Sequence, residues 1–152
     1  MRHQKLIFTS LFLCYLILLF YVTLFAWNYG ASLGPTGPGG RNYNVIPFRS
    51  IYRIAVFSPQ LADPIRILLG NIVLFIPLGF LLPAIWIKAQ RLATIILVGF
   101  SVSLLIEVSQ FLFTQRVANV DDVILNTLGA SIGLFIFSII RWTKSRIVYL
   151  HT

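Results

Sequence analysis

Glu107, Asp121 and Asp122 are three of only four carboxylates in a chain of 152 residues. They stand with Gln110, Arg116 and Asn126 inside residues 103–133, and apolar sequence long enough to cross a membrane flanks them on both sides. Polar side chains at membrane depth are expensive, so a sequence that places them there usually has a use for them. Carboxyl groups of this kind can serve as acid and base, and Arg116 can hold a phosphate through its planar fork of donors. The same groups also suit plainer work. Asn71, Gln110 and Asn126 can make interhelical hydrogen bonds worth around 0.6 kcal/mol each, and Asp121 and Asp122 can cap the helix they begin.

Spacing brings these groups together. Ser103, Glu107, Gln110 and Thr114 are separated by four, three and four residues, which places them on one face of a helix. Asp122, Asn126, Gly129 and Gly133 repeat the same intervals on the next apolar segment, and its glycines allow another helix to approach closely. Glu107 lies roughly 10 Å below the end of its helix, at 1.5 Å per residue. An ionised carboxylate there costs on the order of 2 kcal/mol or more unless it is paired or wetted. Arg116 is the nearest basic partner in sequence, and Arg49 and Arg66 are within range.

Composition identifies the solvent. The chain is 58% hydrophobic and 11% charged, with a mean hydropathy of +0.88. About 25% charged residues is usual in soluble domains, so lipid is indicated. The net charge is +8, but the basic residues are scattered between apolar spans and form no nucleic-acid motif. Cys14 is alone, inside the first apolar run, and reads as a small hydrophobe. His3 and His151 lie far apart, and no cluster offers metal ligands, so neither a metal nor another cofactor is expected.

The elements that must hold the polar patch follow in order, and the whole of 1–152 reads as one membrane domain. Residues 6–27 carry no charge and end in aromatics suited to a membrane interface. At roughly 33 Å the run spans the hydrocarbon core. It is too long for a cleaved leader and reads as a retained helix. A loop over 28–64 follows, with a Gly- and Pro-rich stretch at 34–40 that cannot hold a helix. Within it, Arg49 and Arg53 alternate with Ile51, Ile54 and Ala55, which fits either a short interfacial helix or a loop with two solvated arginines. Asp63-Pro64 signals a helix start. Further spans are expected at about 65–87, with Pro77 bending the helix, at 92–114 and at 121–141. The fold class is therefore all-α, an integral membrane four-helix bundle.

Because successive spans alternate direction, Asn71, Glu107, Gln110, Arg116, Asp121, Asp122 and Asn126 all fall near ends that share one side. The N-terminus, the 88–91 turn and the C-terminal tail hold seven of the twelve Lys and Arg residues. The opposite side holds Arg41, Arg49, Arg53, Arg66 and Arg116. Basic residues in short segments favour the cytoplasm, which puts both termini inside and the polar patch outside.

Four ordered blocks resemble the VanZ-like family: Asn44-Val-Ile-Pro47-Phe48; Asn71-Ile-Val-Leu-Phe-Ile-Pro77-Leu-Gly79-Phe; Glu107-Val-Ser-Gln110; and Arg116 followed by Val120-Asp121-Asp122-Val-Ile-Leu-Asn126-Thr-Leu-Gly129-Ala-Ser-Ile-Gly133. The resemblance covers about residues 44–135. It implies a small polytopic protein of the bacterial cytoplasmic membrane, in a family whose namesake is associated with low-level resistance to teicoplanin, a lipid-tailed glycopeptide. Three functions are then expected to compete. The first is a non-enzymatic envelope protein whose outward polar pocket takes a lipid headgroup, cell-wall precursor or lipoglycopeptide. The second is an intramembrane enzyme acting on a lipid-linked substrate with Glu107 as acid or base. The third is a scaffold that binds a partner through its glycine-lined helix. Reporter fusions after residues 40, 90 and 146 test the topology: the first should report outside and the other two inside, and a cytoplasmic signal at residue 40 reverses it.

Overall fold

The computed structural model describes residues 2–26, 43–58, 62–114 and 116–149. Four long apolar helices dominate it, as the composition requires. Helix α1 spans Arg2–Phe20 and continues through a π-helical turn, Tyr21–Phe25. A two-residue strand, β1 (Tyr43–Asn44), precedes a short helix, α2 (Arg49–Phe57). Then come α3 (Ala62–Ile85), a 3₁₀ turn at Ile87–Gln90, α4 (Leu92–Phe113), β2 (Ala118–Asn119) and α5 (Val120–Tyr149). The segments His3–Phe25, Ile65–Ile85, Leu92–Phe113 and Val120–Ser145 are long and apolar enough to cross a membrane. The all-α, four-span membrane bundle expected from the sequence is the fold observed.

Differences lie at the element ends. Helix α3 begins at Ala62, so Asp63 and Pro64 fall within its first turn rather than before it. Proline is tolerated there because first-turn amides lack intrahelical partners. The helix runs unbroken through Pro77 and Pro83. Helix α5 continues through the basic residues after Arg141 to Tyr149. The segment 49–57, for which two readings were open, is helical. The Gly- and Pro-rich stretch at 34–40, Trp27 of the expected aromatic belt, and Arg41 lie outside the described residues.

Helices α3 and α5 run parallel and make the most extensive contact in the bundle. Glycine permits it. A Cβ at Gly129 would stand 2.1 Å from the carbonyl oxygen of Ile72, and one at Gly133 would stand 2.1 Å from that of Ile76. From the other side, a Cβ at Gly79 would stand 1.7 Å from the carbonyl oxygen of Ala130. Backbone therefore meets backbone along this seam, the small-residue packing that membrane helices use in place of a hydrophobic driving force. Around it Phe75, Leu78, Ile95, Ile106, Ala130 and Leu134 form the core. Outward positions such as Leu13, Ile17, Val73, Leu97, Leu105 and Phe135 are exposed and apolar, a surface fitted to lipid.

Helix α1 packs on α3, and the Tyr15 hydroxyl donates to the Leu74 carbonyl at 3.0 Å. At the far end of the bundle the Gln90 amide donates to the Pro83 carbonyl at 3.2 Å, and the Arg141 guanidinium bonds to Gln90 Oε1. These bonds tie the 87–90 turn to α3 and α5. The seam carries the first structural test. Gly79→Ala and Gly129→Ala each force the backbones apart and should destabilise the folded bundle by about 1–3 kcal/mol. The check is a lowered thermal midpoint in detergent; Gly70→Ala, whose Cβ meets nothing within 4 Å, should leave it unchanged.

Candidate functional site

Asp121 is fully buried and caps a helix other than its own. Helix α2 starts after Phe48 with no side-chain cap from its own segment. Its first amides turn instead to Asp121 on α5. Oδ1 accepts the Phe48 N–H, while Oδ2 accepts the Ser50 N–H at 2.9 Å, the Ile51 N–H at 3.3 Å and the Ser50 hydroxyl. A carboxylate at a helix N-terminus satisfies orphan donors and complements the helix dipole. Phe48 itself sits at φ 63°, a left-handed conformation costly for a bulky residue, and its bonded amide holds it there.

Asn119 joins the neighbouring pieces. Its side-chain oxygen accepts the Asp121 amide at 3.2 Å, which makes Asn119 the N-cap of α5. The same oxygen accepts the Asn44 amide at 2.9 Å, and Nδ2 donates to Ser50 Oγ at 2.8 Å and to Asp122 Oδ1 at 3.0 Å. Its backbone N–H donates to Glu107 Oε2 at 2.7 Å. Strands β1 and β2 pair in parallel beside it, Tyr43 opposite Ala118 and Asn44 opposite Asn119. The segment 43–50 is thereby fixed to the junction between α4 and α5.

Arg116 and Gln110 fasten the end of α1. The Arg116 guanidinium bonds to the carbonyls of Thr23 and Ala26, and the Gln110 amide donates to the Thr23 carbonyl at 2.9 Å. Those carbonyls belong to the π-helical turn and its cap, where helical bonding is irregular and acceptors are available. Between α4 and α5, the Asn126 amide donates to Ser103 Oγ at 2.8 Å. Asn126 is only 3% exposed, and its Oδ1 has no hydrogen-bond partner among the described residues. A buried acceptor left so costs about 1–3 kcal/mol.

A cleft of about 210 Å³ opens between the four spans. Thr23 of α1, Arg66, Gly70 and Asn71 of α3, Glu107 and Gln110 of α4, and Asp122 and Asn126 of α5 line it. Leu74, Ile106, Ile67 and Val117 supply apolar wall. Asn71 is within hydrogen-bonding reach of Asp122.

Of the residues expected at the site, Asn71, Glu107, Gln110, Asp122 and Asn126 therefore meet in one cleft. Asp121 and Arg116 do not line it. Asp121 holds α2, and Arg116 bonds to backbone carbonyls at the end of α1, so both serve the frame around the cleft. Gly129 and Gly133 lie on the seam with α3. Asn119, Ser50 and Thr23 carry site geometry without having been singled out. Asn119 has a sequence signal, an Asx residue directly before a helix start, whereas Thr23 is one hydroxyl in an apolar run.

The family described as VanZ/LLP1 matches residues 12–141, which takes in the second half of α1 with its π-helical turn, all of α2, α3 and α4, and the greater part of α5. The chain belongs to the VanZ/LLP1 family. Among curated relatives, Protein VanZ of Enterococcus faecium is 27% identical over 135 residues, covering 89% of this chain and 76% of that protein. No solved structure matches the chain. The four sequence blocks that resemble the VanZ-like family fall inside the matched range, and three of them supply cleft residues of this VanZ/LLP1 member.

The α2 cap is open to test. Asp121→Ala removes every acceptor that Asp121 offers to α2, and charge-assisted bonds of this kind are worth about 1–3 kcal/mol. Hydrogen–deuterium exchange in micelles should show α2 amides exchanging roughly tenfold faster or more, the equivalent of about 1.4 kcal/mol. Unaltered exchange would mean that α2 holds its shape without Asp121.

Proposed function

We propose that this VanZ/LLP1 member is an envelope protein of the bacterial cytoplasmic membrane. Its cleft takes the polar head of a lipid, cell-wall precursor or lipoglycopeptide, and this lowers sensitivity to teicoplanin-type lipoglycopeptides. The observation that carries the reading is the cleft lining: carboxyl, amide and hydroxyl groups from all four spans gathered around one space. Such groups are costly against hydrocarbon and useful against a polar ligand. The seven-to-five distribution of basic residues supports cytoplasmic termini and an outward cleft.

Paired carboxyls favour a second reading. Glu107 and Asp122 face the same cleft, so Glu107 can act as acid or base on a lipid-linked substrate while Asp122 holds the opposite role. Support for the scaffold reading is weaker, because Gly129 and Gly133, the small residues that suggested a partner, pack against α3 of the same chain.

Expression in a susceptible host should raise the inhibitory concentration of teicoplanin, and Glu107→Gln at equal abundance should abolish the increase. No change on expression of the unaltered chain sinks the resistance role. Lipid extracts decide between binding and catalysis: an accumulated lipid-linked species in cells carrying Glu107→Gln supports the enzyme, and identical extracts support binding alone.

A further inference from the structure

The charges of the cleft are ordered along its depth. Arg66 is the only basic residue among the described lining residues, and it is exposed. Arg66, Gly70 and Leu74 follow at intervals of four down one face of α3, so Arg66 stands at the mouth. Below it the acceptors gather: the carboxyls of Glu107 and Asp122, then the unpartnered Oδ1 of Asn126 one turn further along α5. That oxygen is buried without a hydrogen-bond partner among the described residues, on a side chain that lines the cleft, and it calls for a hydrogen-bond donor.

We propose that the cleft binds a head carrying a primary ammonium beside a phosphodiester, as in phosphoethanolamine, with the phosphate at Arg66 and the ammonium among Glu107, Asp122 and Asn126. The proposal rests on the headgroup-binding reading and names the chemistry of that head. A primary ammonium brings three N–H donors to three acceptor groups. A trimethylated ammonium has no such donors, and a glycerol head has no positive charge. The exposed guanidinium at the mouth suits a phosphate bidentately. Leu74 and Ile106 supply apolar wall for the carbon stem between the two charges.

Size argues for a head and against a single ion. The volume of about 210 Å³ compares with roughly 30 Å³ for one water in the liquid. Among the described residues no group of three His, Cys, Asp or Glu side chains is placed to hold a metal. Gly70 keeps the wall open, since a Cβ there meets nothing within 4 Å.

The test is lipid titration of the purified full chain by native mass spectrometry, with phosphatidylethanolamine, phosphatidylcholine and phosphatidylglycerol as probes. Phosphatidylethanolamine should bind at least tenfold more tightly than either other lipid. Glu107→Gln combined with Asp122→Asn should erase that preference. Gly70→Leu, which leaves every polar group in place, should weaken phosphatidylethanolamine binding at least tenfold without lowering the thermal midpoint. Equal binding of the three lipids, or a preference unchanged by both variants, overturns the proposal. Soluble phosphoethanolamine supplies a further arm: displacement of the lipid assigns a free head as sufficient, and failure to displace assigns the acylated form, either of which upholds the head chemistry. A phosphatidylethanolamine preference without any teicoplanin effect sinks the resistance role alone. A teicoplanin effect without the preference sinks this inference alone.

Discussion

Direct contact between the backbones of α3 and α5 sets the geometry of everything polar in this protein. At Gly79, Gly129 and Gly133 no side chain separates the two helices. The helices run parallel, and Gly129 meets Ile72 while Gly133 meets Ile76. That register puts Asn71, one residue before Ile72, at the level of the first turns of α5, where Asp122 and Asn126 stand. Shifting the register by one residue would rotate Asn71 away from them by about 100° of helix, since 3.6 residues complete a turn. Membrane helices have little hydrophobic gain from meeting one another, so close fit has to set such a register.

The polar residues divide into two populations with different duties. Asp121, Asn119, Ser50 and Arg116 bond to backbone groups and to neighbouring side chains at the ends of helices. These bonds meet the requirement that backbone donors and acceptors near a membrane be satisfied inside the protein. Glu107, Asp122, Asn71 and Asn126 instead face a space. Glu107 and Asp122 belong partly to both groups, because each also accepts a bond from Asn119 while its carboxyl lines the cleft.

Much of this was legible before any coordinates. Four apolar runs of membrane length determine the spans, and alternation of direction brings Asn71, Glu107, Asp122 and Asn126 to one side without knowledge of which side that is. The interval of four, three and four residues on two helices anticipates that their polar faces meet. Partner choice was not legible. Sequence proximity suggested Arg116 for Glu107, with Arg49 and Arg66 also in range, yet the Arg116 guanidinium reaches the irregular carbonyls at the end of α1, ninety or more positions away. Likewise Asp121 looked like a cap for its own helix and caps α2 instead. Both outcomes turn on where a loop of unpredictable path comes to rest, and periodicity carries no information about that.

The cap shared across the chain has a consequence for the order of biogenesis. Helix α2 has nine residues, and isolated helices shorter than about 12–15 residues are marginal in water. Its stabilising carboxylate is supplied from a position some seventy residues later in the chain. During synthesis the segment that becomes α2 therefore waits, without its acceptor, until the last span has entered the bilayer. The start of α2 is thus held by a residue synthesised some seventy positions after it, at the very start of the last span.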